Sequence, residues 1–172
     1  MIRFFARSSL ILGSVLFLSV GCTTAPPLAS GGDDQRAKQF SPVRGKAAIY
    51  VYRKGGWRGS DVRFPVTVDG RFVGWIAKET YYVIEADAGD HEVWVGWDST
   101  MTSQPPASVP ATLRGYSVIP IKALAGRTYF VRAGQTDQAH QAVPESQGME
   151  ELSDCCKLAL TLERPKESPL FK

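Results

Sequence analysis

The chain has 172 residues, of which 44% are hydrophobic and 22% are charged, and these proportions are typical of a folded globular domain. Its 20 Lys and Arg residues against 17 Asp and Glu give a net charge of +3. That field is too weak for a protein that grips a phosphate backbone, so we expect no nucleic-acid partner. Two histidines and three cysteines leave little material for a metal cluster, and we expect no metal and no cofactor.

The N-terminus has the pattern of a secretory signal peptide. Arg3 and Arg7 precede an apolar run over residues 10–20. The run is about 11 residues long, whereas a helix that crosses about 30 Å of hydrocarbon needs about 20. A signal peptide over residues 1–21 is therefore a better interpretation than a permanent transmembrane helix.

The signal ends in Leu-Ser-Val-Gly-Cys at residues 18–22, which resembles the lipobox of bacterial lipoproteins. In that family the cysteine is acylated and the peptide is cut just before it. The resemblance implies that Cys22 is the lipid attachment site, with palmitate among its acyl chains. Ser19 departs from the commonest pattern, which has Leu there. The alternative is ordinary cleavage near Gly21 or Ala25.

The lipobox also implies a location. Three acyl chains exceed the two signals that stable membrane anchoring needs. Thr23 follows the cysteine, where Asp would resemble the inner-membrane retention signal of enterobacteria. We therefore expect a lipid-anchored protein of the outer membrane, with its folded domain facing the periplasm.

The chain after Cys22 divides into a polar segment and a strand-rich one. Residues 22–43 are small and polar without apolar periodicity, which predicts a flexible tether with a reach of roughly 25 Å. From Lys46 onward, short β-branched and aromatic runs alternate with Gly, Pro and Asp-Gly, which predicts strands. We expect a folded domain over residues 44–164 and a C-terminal tail over residues 165–172.

Seven or eight short strands are predicted. They are residues 48–53, 65–68, 72–76, 81–85, 92–97, 117–121, 128–132 and 156–162. Asp69-Gly70 predicts a type I′ hairpin turn, and Asp87 to Asp90 predict a second hairpin. Pro120 cannot donate to a ladder and so predicts an edge strand, and a short helix is predicted around residues 145–152. This pattern predicts an all-β fold, an antiparallel β-sandwich.

Five short pieces of sequence follow the lipobox in a fixed order. They are Ile49 to Arg53, Val68 to Gly74, Tyr81-Tyr82, Ala88 to His91 and Ala125 to Phe130. In this order they resemble a family of small lipoproteins of Gram-negative bacteria, the domain of unknown function 2846 family. The resemblance implies an immunoglobulin-like or prealbumin-like sandwich tethered to a membrane. It implies no activity, because none is established for the family.

Cys155 and Cys156 are the cysteines that remain once Cys22 carries lipid. Strand alternation places Cys156 with the leucines that follow it in the core and leaves Cys155 as an exposed, reactive thiol. Three alternatives stay open: a disulfide between the two neighbours, a Cys-Cys metal site, and a bond from Cys155 to another chain.

Aromatic side chains are a better indication of function than the histidines. His91 and His140 lie in a turn and a loop without a nucleophile motif, and we predict no catalytic residue. Trp57 lies in a flexible basic turn, where it forms a candidate binding surface with Arg58 and Arg53 unless it folds back over the sheet.

Two further tryptophans could form a binding strip on the sandwich. Alternation places Trp75 opposite the face of Phe72 and Ile76. It places Trp94 opposite the face that carries Val93, Val95 and Trp97. One set should be more exposed than the other, since only one face of each strand lies in the core.

We expect a non-enzymatic lipoprotein that binds another envelope protein or a glycan. The alternative is a periplasmic hydrolase that acts on cell-wall or lipid material. The first is favoured because no nucleophile, carboxylate pair or metal-ligand set is legible in the sequence.

Overall fold

A computed structural model describes residues 26–56, 63–96, 116–134 and 139–161. This part of the chain contains nine strands and two helices. The strands are β1 (Ala47–Arg53), β2 (Phe64–Val68), β3 (Arg71–Ile76), β4 (Thr80–Ala86), β5 (Gly89–Gly96), β6 (Tyr116–Ala123), β7 (Thr128–Arg132), β8 (Gln141–Val143) and β9 (Lys157–Leu158). The helices are α1 (Gly31–Ala37) and α2 (Glu145–Cys155).

The strands form two sheets, of order β8-β7-β1-β4-β9 and β3-β2-β5-β6. The prediction of an all-β sandwich is therefore confirmed. The prediction of a purely antiparallel arrangement is wrong, because β1 pairs in parallel with β7 and β4 pairs in parallel with β9. β7 follows a strand of the other sheet and β9 follows a helix. Neither strand is therefore joined by a hairpin to the strand with which it pairs in parallel.

Branched side chains at alternate positions fill the space between the two sheets. Ile49 and Val51 of β1 meet Val66 of β2 and Val93 and Val95 of β5, and all five are 0% exposed. Burying such a side chain contributes about 1.5 to 3 kcal/mol relative to leaving it in water. This apolar layer is the main core of the domain.

A second, aromatic cluster lies on the other face of the five-stranded sheet, beneath both helices. Tyr50 of β1 stacks on Phe130 of β7 with ring centroids 5.1 Å apart, and Leu152 of α2 packs against the same cluster. The hydroxyl of Tyr50 donates to the carbonyl of Ala37 at the end of α1, at 2.7 Å. Helices, five-stranded sheet and four-stranded sheet thus form three layers.

The prediction of a flexible tether over residues 22–43 is wrong from residue 26 onward. The Oγ atom of Ser30 caps α1 by accepting from the backbone N–H of Asp33, at 3.2 Å. The Nζ atom of Lys38 donates to the carbonyl of Cys156 at 2.6 Å, and Asp34 accepts from the N–H of Leu158 at 2.8 Å. These bonds fix an otherwise linker-like sequence to the sheet. Residues 22–25 lie outside the described residues.

Three other local predictions differ from the structure. Asp87 to Asp90 do not close a hairpin, because β4 belongs to the five-stranded sheet and β5 to the four-stranded one. The short strand β8 was not expected. The predicted helix at residues 145–152 is confirmed but continues to Cys155, so β9 covers only part of the predicted last strand. Pro120 lies in β6, an edge strand as predicted.

The Asp69-Gly70 turn is confirmed. It joins the antiparallel strands β2 and β3, whose last and first residues, Val68 and Arg71, are paired. Asp69 has φ 51° and Gly70 has φ 74°, and positive φ at both central residues is the mark of a type I′ turn.

We expect Gly70→Val to lower the free energy of unfolding by about 1 to 2 kcal/mol, because a β-branched residue is strained at positive φ. Denaturant unfolding of the chain that carries Cys22→Ala measures this. Gly70→Asn is the matched control and should cost less, since asparagine tolerates this backbone conformation. Equal losses in the two variants would contradict the turn.

Glu151 holds α2 on the five-stranded sheet. Its carboxylate accepts from the hydroxyl of Tyr52 at 2.6 Å, from Arg132 at 3.0 Å and from Gln147 at 2.9 Å. Burial by itself would raise the pKa of Glu151, but the hydrogen bonds from Tyr52 and Gln147 and the charges of Arg132 and Lys54 lower it to about 2. The ionised carboxylate therefore stabilises the folded state.

We expect Glu151→Gln to lower the free energy of unfolding by about 1 to 3 kcal/mol at neutral pH. The folded-state pKa is lower than the unfolded value of 4.5, so this stabilisation is present above pH 4.5 and is lost as the pH falls towards 2. Unfolding across this pH range tests it. The control is Glu150→Gln, at an exposed position of the same helix, which should change little. A wild-type advantage that does not shrink in acid would contradict the network.

Candidate functional site

The outer face of the four-stranded sheet differs from that of the five-stranded sheet in what covers it. Both helices pack on the five-stranded sheet, where Ala37 of α1 and Leu152 of α2 contact the aromatic cluster. Within the ranges that the structure describes, no helix lies over the four-stranded sheet. The outer face of the four-stranded sheet is therefore the candidate binding surface.

A row of side chains crosses this outer face on all four strands. Phe72 of β3 lies opposite Thr67 of β2, which lies opposite Trp94 of β5, which in turn lies opposite Val118 of β6. In the neighbouring row, Trp75 lies opposite Pro65. We call these residues the aromatic face: Pro65, Thr67, Phe72, Trp75, Trp94 and Val118.

A β-bulge in β3 is what puts Phe72 and Trp75 on one face. The register with β2 shifts between Val66 and Thr67, and Val73 turns into the core, where it is 8% exposed. The rings of Phe72 and Trp75 then meet edge to face, with centroids 6.0 Å apart. The prediction that Trp75 lies opposite the face of Phe72 is therefore wrong, because strict alternation ignores the bulge.

The two tryptophans are half-buried and Val118 is 45% exposed, whereas Thr67 beneath them is 1% exposed. The indole N–H of Trp94 donates to a carboxylate oxygen of Glu92 at 3.1 Å, which fixes the orientation of the ring. The hydroxyl oxygen of Thr67 is buried without a hydrogen-bond partner in the described part of the chain. The centre of the face is thus apolar in its contacts, with polar groups at its margin.

A pocket of about 590 Å³ lies beside Glu92, lined by Asp69, Asp90, His91, Glu92, Pro120, Ile121 and Lys122. The Nδ1 atom of His91 lies 2.7 Å from Asp69, and its Nε2 atom lies 2.9 Å from the carbonyl of Asp87. Burial alone would lower the pKa of His91, but these hydrogen bonds and the nearby carboxylates raise it. His91 therefore links the Asp69-Gly70 turn to the segment between β4 and β5. Among the described residues, no group of three or more His, Cys, Asp or Glu is placed to hold a metal ion.

Arg53 does not belong to an exposed binding surface, and that prediction is wrong. It ends β1, the middle strand of its sheet, and is 1% exposed. Its guanidinium lies 4.7 Å from the ring centroid of Phe64, and burial lowers its pKa. Trp57 and Arg58, the other members of that predicted surface, lie outside the described residues, as does Cys22.

His140 is buried, which its polar sequence neighbourhood did not indicate. It is 8% exposed, and its Nδ1 atom accepts from the backbone N–H of Gly134 at 3.0 Å. Its ring meets that of Phe64 edge to face at 4.8 Å. Burial, together with the charge of Arg53, lowers the pKa of His140 to about 4, so the ring is neutral at physiological pH.

The prediction that Cys155 is a reactive thiol is wrong, because Cys155 and Cys156 form a disulfide with each other. A bond between these neighbours was one of the open alternatives. Strand alternation does not apply to Cys155, which is the last residue of α2. Cys156 is 2% exposed and lies in the aromatic cluster, so the prediction of its burial is confirmed. The prediction that the leucines after it share the core is wrong for Leu160, which is 40% exposed.

We expect the Cys22→Ala chain to take up no maleimide when it is unfolded without reductant, and two after reduction, since the bond joins Cys155 to Cys156. Mass spectrometry counts the labels. Cys155→Ser is the control, because it frees Cys156 and should allow one label on unfolding without reductant. Labelling of the unreduced parent chain would contradict the disulfide.

A comparison with protein-family models finds no match, and comparisons with curated proteins and with solved structures find none either. The resemblance to the domain of unknown function 2846 family therefore stays a prediction. No helix in the described part of the chain has the length and apolar character needed to cross a membrane.

Proposed function

We propose that the protein is a membrane-anchored lipoprotein of the Gram-negative cell envelope whose sandwich is a non-enzymatic binding module. In this proposal Cys22 carries the lipid, the anchor lies in the outer membrane and the domain faces the periplasm. The aromatic face is the observation that supports the binding role. It presents two half-buried tryptophans on a sheet that has no helix over it among the described residues. Clustered apolar and aromatic side chains of this kind typically mark interaction sites.

The arrangement favours a protein partner over a glycan. Phe72 and Trp75 meet at an interplanar angle of 69°, so they do not present one flat surface on which a sugar ring could stack. The indole N–H of Trp94 already donates to Glu92. Tryptophan and phenylalanine are enriched at the apolar centres of protein interfaces, which a polar margin surrounds. The aromatic face has this composition.

A periplasmic hydrolase stays the alternative prediction from the sequence. No specific arrangement of the described residues favours it. His91 is bound to Asp69 and to a backbone carbonyl, and His140 is buried and neutral.

We expect a photo-crosslinking amino acid in place of Trp75 to form an adduct with a protein in living cells. Adding Trp94→Ala should weaken binding about 30-fold and remove most of the adduct, because truncation of a central aromatic residue costs about 2 kcal/mol in a typical interface. Immunoblotting and mass spectrometry of the adduct measure both effects.

Two matched controls use Arg36 on α1, whose side chain is 75% exposed and lies on the helical side of the domain. A crosslinker at position 36 should not form the same adduct, and adding Arg36→Ala should leave the adduct at position 75 unchanged. An adduct with glycan strands alone, or equal adducts from positions 75 and 36, would contradict a protein partner at the aromatic face.

A further inference from the structure

Residues 27–29 add an extra edge to the five-stranded sheet. Leu28 forms an antiparallel bridge with Ala159. The N–H of Ala29 donates to the carbonyl of Leu158 at 2.9 Å, and the N–H of Leu160 donates to the carbonyl of Pro27 at 2.8 Å. Residues 27–29 therefore lie alongside β9 and the two residues that follow it. We call residues 27–29 and Lys157 to Leu160 together the anchor edge.

The anchor edge is fixed to the rest of the domain by α1, which follows it. The hydroxyl of Tyr50 donates to the carbonyl of Ala37 at 2.7 Å, and the hydroxyl of Tyr81 donates to that of Asp34 at 3.3 Å. Phe40, just after α1, packs against Tyr50 with ring centroids 5.3 Å apart. These contacts attach the anchor edge and α1 to the five-stranded sheet.

The link from the proposed lipid to this edge is short. Three residues separate Cys22 from Pro26, so the chain makes four Cα-to-Cα steps, and a fully extended chain spans at most about 3.5 Å per step. Pro26, which directly precedes the anchor edge, therefore lies within roughly 14 Å of an acylated Cys22, whose acyl chains are in the bilayer. This step rests on the proposed lipid attachment at Cys22.

The side chains at the anchor edge suit a lipid surface. Leu28 is 47% exposed and Leu160 is 40% exposed, and both are among the few large hydrophobic residues that are exposed in the described part of the chain. Lys157 is exposed on β9, whereas the acids of neighbouring α1 are paired, Asp34 with Lys38 at 3.1 Å and Asp33 with Arg36. Leu28 pairs with Ala159 and so shares a face with Lys157, whereas Leu160 lies on the other face, and the two leucines therefore flank the edge itself. Exposed leucines and a lysine around one edge match the chemistry of a headgroup and acyl boundary.

We propose that the anchor edge is a membrane-contact surface, with Leu28 and Leu160 inserted into the interface of the phospholipid bilayer that holds the lipid anchor. The domain then lies directly on its membrane rather than clear of it. The opposite side of the sandwich, where β6 packs near β7 and β8, points away from the lipid.

The test uses the full lipidated chain, purified from cells grown with labelled palmitate and reconstituted into vesicles of phosphatidylethanolamine and phosphatidylglycerol. Leu28→Trp and, separately, Leu160→Trp place a fluorophore at the anchor edge. Leu124→Trp is the matched control, since Leu124 is 59% exposed, directly follows β6 and lies outside the aromatic face. Replacing the lipids by brominated ones, which quench only nearby tryptophans, reads out depth. Thermal unfolding checks that each variant is folded.

We expect the palmitate label to be present in every variant. Brominated lipid should quench the emission added by Leu28→Trp or by Leu160→Trp, because interfacial apolar residues lie about 5 to 10 Å into the headgroup boundary. The emission added by Leu124→Trp should change little. Label without quenching of either edge variant beyond the control would overturn the membrane contact and leave the anchor intact. Loss of the label in the parent chain would overturn the lipid attachment and, with it, the contact.

Discussion

Strand β1 is buried along its whole length, and the layered structure of the domain follows from this. Side chains at alternate positions, such as Ile49 and Tyr50, point to opposite faces of the sheet, and both faces are apolar. A strand of this kind must be covered on both sides. The four-stranded sheet covers the face of Ile49, and α1 and α2 cover the face of Tyr50. Because both described helices pack on the five-stranded sheet, neither covers the outer face of the four-stranded sheet.

Most strands could be predicted because the sequence patterns that mark them lie within the strands and turns themselves. Alternating apolar residues gave most strands to within one or two residues, and Asp69-Gly70 marks its turn by chemistry alone. What could not be predicted depends on long-range pairing. Asp87 to Asp90 have the composition of a hairpin, but whether such a turn closes a hairpin or crosses between sheets depends on the partner of β5. The bulge at Val73, which places Phe72 beside Trp75, has only Gly74 as a mark in the sequence, and a glycine inside a strand does not say which residue is the extra one.

The structures of the N-terminal segment and of the cysteine pair also depend on residues that are distant in the sequence or on the element that follows. The Gly-Gly-Asp-Asp sequence at residues 31–34 reads as a linker, yet its order comes from partners far along the chain, such as Leu158 and Cys156. Cys155 could not be assigned to a helix from its apolar neighbours, since those neighbours belong to the strand that follows. In the candidate site, the tryptophans were visible in the sequence, but their grouping on one face, over which no described helix lies, required the sheet order.

We propose that the aromatic face binds a protein partner in the cell envelope, whereas the helical side does not. Hydroxyl-radical footprinting tests it most directly, by comparing the protein in isolated outer membranes with the purified chain in lipid vesicles. We expect lower oxidation of Trp75 and Trp94 in the native membranes than in the vesicles, and equal oxidation of Met149 on α2 in the two samples. Equal oxidation of the two tryptophans in both samples, or protection of Met149 alone, would contradict it.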